Sequence, residues 1–139
     1  MREKGYLAGP SRASANERDQ MITVSNLLES LPDARAGEIT QALLSARGVR
    51  MERIVSHGQA SAPDFWYDQD AAEWVMLLAG RAHLEIEGED AVRALGPGDA
   101  VFLPAHCRHR VAWTDPQSQT VWLALFIEPN LAPVPSFGL

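Results

Sequence analysis

From Val49 to Ile127 the chain never runs more than about a dozen residues without a turn signal, and the segments between turns are short and apolar. That rhythm excludes long helices. Arg81 to Glu87 alternates without a break, with Ala82, Leu84 and Ile86 on one face and His83, Glu85 and Glu87 on the other, which is a strand with one buried face and His83 toward water. Gly88-Glu89-Asp90 closes a hairpin, Val92 to Leu95 returns, and Gly96-Pro97-Gly98-Asp99 is a tight turn that needs glycine dihedrals. Val49 to Val55, Glu73 to Ala79, Ala100 to Leu103, His109 to Trp113 and Thr120 to Ile127 supply further strands; Glu73 to Ala79 is apolar on both faces and so buried on both. About seven short strands at this spacing predict an all-β antiparallel sandwich or barrel.

The flanks read differently. Ile22 to Leu28 is a short apolar segment, and within Gly37 to Ala46 the residues Ile39, Leu43 and Leu44 stand at helical spacing, predicting one short N-terminal helix. Residues 1–20 mix Gly, Pro, Ser, Ala and charges without periodicity and are expected to form a loose arm. The tail 129–139 has three prolines in its first seven residues; it cannot pair as an interior strand and is expected to lie across the surface or reach a neighbour. With 139 residues, 46% of them hydrophobic and 22% charged, the chain can build one core, assigned to residues 21–128, and not two.

Twelve Lys and Arg against eighteen Asp and Glu give a net charge of −6, which repels phosphate backbones and anionic headgroups, so neither nucleic acid nor membrane is an expected partner. Cys107 stands alone and cannot form an intramolecular disulfide, and residues 1–20 hold no apolar stretch of signal-peptide kind. The longest apolar run, Trp74 to Ala79, is far shorter than a membrane span. The expected address is the cytoplasm.

Two stretches resemble the motifs of the cupin superfamily. Glu73, six residues and Gly80 match the second half of the first motif; where its two histidines belong stand Phe65-Trp66-Tyr67-Asp68-Gln69-Asp70. Gly98, five residues, Pro104, then His106 in the glycine place and His109 in the ligand place match the second motif, with Trp113 replacing its final Asn. The short interval from Gly80 to Gly98 is similar to that of small bacterial single-domain cupins. The resemblance implies a double-stranded β-helix, the cupin jelly-roll barrel, with a divalent metal (Zn, Fe or Mn) in its mouth, and leaves the reaction open because one fold hosts many chemistries.

Alternation turns His109 inward with Val111 and Trp113, between the solvent-facing Arg108 and Arg110. Glu73 shares its parity with Val75 and Leu77, and a carboxylate buried there needs a metal or an arginine partner. The resemblance makes Glu73 and His109 metal ligands. Counting three residues back from Glu73 puts Tyr67 and Gln69 in the histidine places; counting four puts Trp66 and Asp68 there. Gln69 or Asp68 would make the site harder and more oxygen-rich, and the metal weakly retained. His106, one turn before His109, and His57, at the end of the first strand, are candidate replacements, and Cys107 would share the His109 face. Trp66, Tyr67 and Trp113 are expected to line or lid the pocket. Three readings follow: a metal-dependent enzyme acting on a small polar molecule, whose open coordination position polarises a substrate oxygen or binds dioxygen; a non-catalytic binding or sensing barrel; and a structural module with a plugged interior. A homodimer is expected because open sheets leave edges to cover.

Overall fold

A computed structural model of the chain describes residues 21–131, together with 133 and 136. The expected arm 1–20 and most of the tail lie outside the described residues. Eight strands follow one another: β1 (Ile39–Ala46), β2 (Val49–Ser56), β3 (Ala72–Ala79), β4 (Ala82–Ile86), β5 (Arg93–Leu95), β6 (Ala100–Leu103), β7 (His109–Thr114) and β8 (Thr120–Ile127). They form a five-stranded sheet, β1-β2-β8-β3-β6, and a three-stranded sheet, β5-β4-β7. Every pairing is antiparallel. Among the described residues no helix is long and apolar enough to cross a membrane.

The core lies between the sheets. Val75 and Leu77 of β3, Leu103 of β6 and Trp122, Ala124 and Phe126 of β8 meet Ala82, Leu84 and Leu95 of the smaller sheet, and all are buried. The alternation read in Arg81 to Glu87 holds: Ala82 and Leu84 are buried, while His83 lies on the outer side against the Trp113 ring, centroids 4.7 Å apart. The Gly96–Asp99 turn closes with Asp99 N–H donating to the Gly96 carbonyl at 3.0 Å, and Gly98, at φ +90°, donates to the Leu77 carbonyl at 2.7 Å. This ties the turn to β3.

The predicted N-terminal helix is a strand instead. Arg47-Gly48 turns β1 back onto β2, with Gly48 at φ +80° and Ala46 opposite Val49. A bulge at Leu43 adds one residue to β1, so Ile39, opposite Val55, and Leu44, opposite Met51, come to the same outer face. One inserted residue reproduced a helix-like spacing in an extended segment. The start of the tail forms a short 3₁₀ turn, Pro129–Leu131, whose Leu131 side chain packs against Gly48.

Gly80 joins β3 to β4 at φ +89°, where an added Cβ would meet the Thr120 side chain and backbone and the Gln119 carbonyl within 2.7 Å. Gly98 has a similar φ and nothing within 4 Å. Gly80→Ala is therefore expected to cost about 3 kcal/mol in urea unfolding, and Gly98→Ala about 1 kcal/mol, from the dihedral alone; equal losses would show that the close approach at Gly80 carries no weight.

Candidate functional site

The site is built along the free edge of β7. Ser61 N–H donates to the Val111 carbonyl at 2.8 Å, and Tyr67 and His109 exchange two backbone hydrogen bonds at 2.7 and 3.2 Å. His106 N–H then donates to the Gln69 carbonyl at 2.7 Å. The segment 61–69 thus covers an otherwise bare strand edge, and this pairing turns Tyr67 and Gln69 into the space between the sheets. There they meet Glu73 of β3 and His109 of β7 in a cavity of about 220 Å³. The three-residue count back from Glu73 gives the residues found at the cavity.

His109 is 5% exposed and Glu73 8%. His109 Nδ1 lies 2.8 Å from the Cys107 carbonyl, which accepts only, so Nδ1 carries a proton and Nε2 faces the cavity. Nε2 stands 3.5 Å from Glu73 Oε2, the nearest polar partner of that carboxylate among the described residues. A lone pair aimed at a carboxylate is unfavourable unless a proton or a metal cation lies between them. Burial opposes protonation of His109, but Glu73 and then the Cys107 carbonyl outweigh it and hold its pKa above the ordinary value. The Tyr67 ring stacks on His109, centroids 5.3 Å apart, and its hydroxyl is held above its ordinary pKa by burial first and then by Glu38 and Glu73. It stays a neutral phenol.

The other expected site residues lie elsewhere. Asp68 points outward and meets His106 Nδ1 at 2.7 Å, while His106 Nε2 lies 3.1 Å from Asp70; this exposed cluster is separate from the cavity. His106 sits at φ +60°, the dihedral of the glycine it replaces. Trp66 is turned away from the cavity under the Arg108 guanidinium, 5.7 Å from its ring. Cys107 contributes its carbonyl, not its thiol; the thiol packs against the core and burial raises its pKa. His57 lies outside the cavity lining, and its N–H donates to Gln59 Oε1 at 2.6 Å.

Trp113 is a correction with a clear cause. His109 pairs with Ile86 and Val111 with Leu84, but Trp113 pairs with His83, so Ala112 is an extra residue and everything after it changes face. Trp113 goes outside and Thr114 inside. Arg110 faces away from the cavity as expected yet is mostly covered, bonding Glu85 at 2.7 Å and the Ser61 carbonyl at 3.0 Å.

Sequence reasoning missed the wall that β1, β2 and β8 add beside Glu73. Glu38 and Thr40 at the start of β1, Glu52 and Ile54 of β2, and Trp122 and Phe126 of β8 also line the cavity. The signal for Glu52 was present, since it shares strand parity with Ile54.

A small antiparallel barrel with a buried carboxylate and imidazole facing across its mouth defines the class. The Cupin domain family matches residues 51–126, and the chain belongs to that family. A Ralstonia eutropha protein of known crystal structure, given the provisional name mannose-6-phosphate isomerase, is 50% identical and aligns over 77% of this chain and 99% of its own, with a TM-score of 0.75. A Cupin 2 conserved barrel domain protein from Salinispora arenicola (21% identity, 81% of this chain and 93% of that one, TM-score 0.59) shares the fold. So does a conserved Streptococcus pyogenes protein of unknown function (15% identity, 79% and 90%, TM-score 0.63). No curated protein matches the chain.

Asp68 bonding, joined by its field and that of Asp70, raises the His106 pKa despite slight desolvation. A raised pKa stabilises the fold fully below the unfolded value, about 6.5, and that contribution is lost as pH rises through the folded value. Proton NMR is expected to place the His106 midpoint above that of a model histidine, and Asp68→Asn to lower it; an unchanged midpoint would show that the Asp68–His106 contact does not hold in solution.

Proposed function

We propose that this cupin holds a divalent metal between Glu73 and His109 and uses the cavity around it to bind or transform a small polar molecule. The observation that carries this reading is the buried Glu73–His109 pair, with Nδ1 held by the Cys107 carbonyl and Nε2 aimed at the carboxylate. Gln69 adds a neutral oxygen donor at the cavity wall and Tyr67 a phenol beside His109. A bound metal supplies Lewis acidity that polarises a substrate oxygen. Such a donor set fits Mn, Fe or Zn held loosely, since two strong donors and an amide replace three imidazoles and a carboxylate. The chain's own part is to orient the imidazole through the Cys107 carbonyl, to stack the Tyr67 ring on His109, and to keep the site dry on the Val75, Leu84 and Leu103 side. Elemental analysis of gently purified protein should find substoichiometric to stoichiometric divalent metal, falling to background in both Glu73→Ala and His109→Ala; unchanged metal in either variant rejects the reading.

A metal-free binding barrel is the second reading. It is favoured by the absence, among the described residues, of any group of three or more His, Cys, Asp or Glu side chains placed to share a metal. In that case a proton occupies the space between Glu73 and His109.

The chain is also proposed to work as a cytoplasmic homodimer. Leu44, Met51, Leu125, Trp74 and Phe102 stand in register across all five strands of the larger sheet, on its outer face, and none is buried. An apolar row spanning a whole sheet is what a second copy covers. Light scattering at micromolar concentration should give twice the chain mass, and Leu44→Glu with Met51→Glu should give the monomer; a wild-type monomer ends the proposal.

A further inference from the structure

The cavity wall opposite His109 carries two more carboxylates beside Glu73, and among the described residues the lining has no Lys or Arg. Glu38 stands at the mouth, where it accepts a hydrogen bond from Ser56 Oγ at 2.9 Å, and Glu52 projects from β2. Glu73 lies deeper, 8% exposed, with no donor among the described residues nearer than His109. One guanidinium is close: Arg50 Nε lies 2.8 Å from Glu52 Oε1, and its guanidinium rests 4.4 Å from the Phe126 ring centroid. It is already engaged by the carboxylate it would have to leave. Tyr67, Trp122 and Phe126 add aromatic surface to the same cavity, and aromatic faces attract cations.

A phosphate entering this space would meet carboxylates and aromatic faces, with no uncommitted Lys or Arg among the described lining residues. A protonated amine would meet attraction from Glu73, Glu38 and the Tyr67 and Trp122 rings, and would compete with Arg50 for Glu52, in a partly desolvated setting where charge is weakly screened. The volume, about 220 Å³, is below the roughly 300–1,000 Å³ typical of drug-sized ligands, so the occupant is small. We propose that the cavity selects a small amine-bearing polyol or similar organic cation and rejects phosphorylated ligands, with Glu52 and Glu38 setting the charge preference. This rests on the reading of the cavity as a ligand site, and not on the metal.

Calorimetry with mannosamine, mannose and mannose 6-phosphate, matched in ring and differing in charge, tests it on the full chain. The amine should bind roughly tenfold tighter than the neutral sugar, and the phosphate weakest. Glu52→Gln should erase most of the amine preference and, by releasing Arg50, raise affinity for the phosphate. Glu38→Gln, at the exposed mouth, should reduce the same preference with little risk to folding. Tightest binding of the phosphate, equal binding of all three, or no binding of any at millimolar concentration overturns the proposal. Metal content read on the same samples separates the two readings: an amine preference in metal-free protein leaves this inference standing and removes the metal, whereas metal with no charge preference does the reverse.

Discussion

The antiparallel pairing of β8 with both β2 and β3 is the constraint on which the rest depends. Val49 to Ser56 run against Ile127 to Thr120 without interruption, and Ala72 to Ala79 run against the other edge of β8 with one bulge. Those two registers place Glu52 and Val75 on either side of Ala124, and Ile54 and Leu77 on either side of Trp122, so the inward faces of three strands are fixed together. A slip of one residue would turn the whole set outward. The carboxylate of Glu73 is thereby held in the interior whatever its own preference for water, and the facing His109 imidazole is its polar partner among the described residues.

The smaller sheet supplies that imidazole, and the segment 61–69 completes the ring of donors by adding itself to the edge of β7. The cavity therefore draws on parts far apart along the chain that share no local sequence signal. Its chemistry follows from asymmetry: the imidazole, the amide and the Tyr67 phenol lie on the β7 side, while the carboxylates and the Trp122 and Phe126 rings lie on the side that β8 organises.

Most strands were legible because their alternation is uninterrupted and their turns carry glycine or proline: Thr120 to Ile127 and Ala100 to Leu103 match the structure residue for residue. Glu73 and His109 were legible from parity together with motif spacing. Two of the misreadings share one origin. Bulges at Leu43 and Ala112 each add a residue that shifts the period of two, so β1 imitated a helix and Trp113 was assigned to the wrong face. Cys107 and His106 were misplaced for another reason, since a turn obeys no periodicity and only coordinates show that one offers a carbonyl and the other a surface clamp. The wall formed by Glu38 and Glu52 was passed over, although Glu52 shares strand parity with Ile54, because charges in an edge hairpin ordinarily face water.

The extra residue at Ala112 divides β7 into two half-strands with separate audiences. Up to Val111 the odd-numbered positions face the cavity; from Trp113 they face the outside world, and Thr114 takes over the interior. In a survey of all single replacements, tolerance along this strand would not alternate evenly from end to end but would invert its phase between Val111 and Trp113. Deleting Ala112 would bring an indole to the inner face, converting an insertion of one residue into the device that keeps the vestibule open.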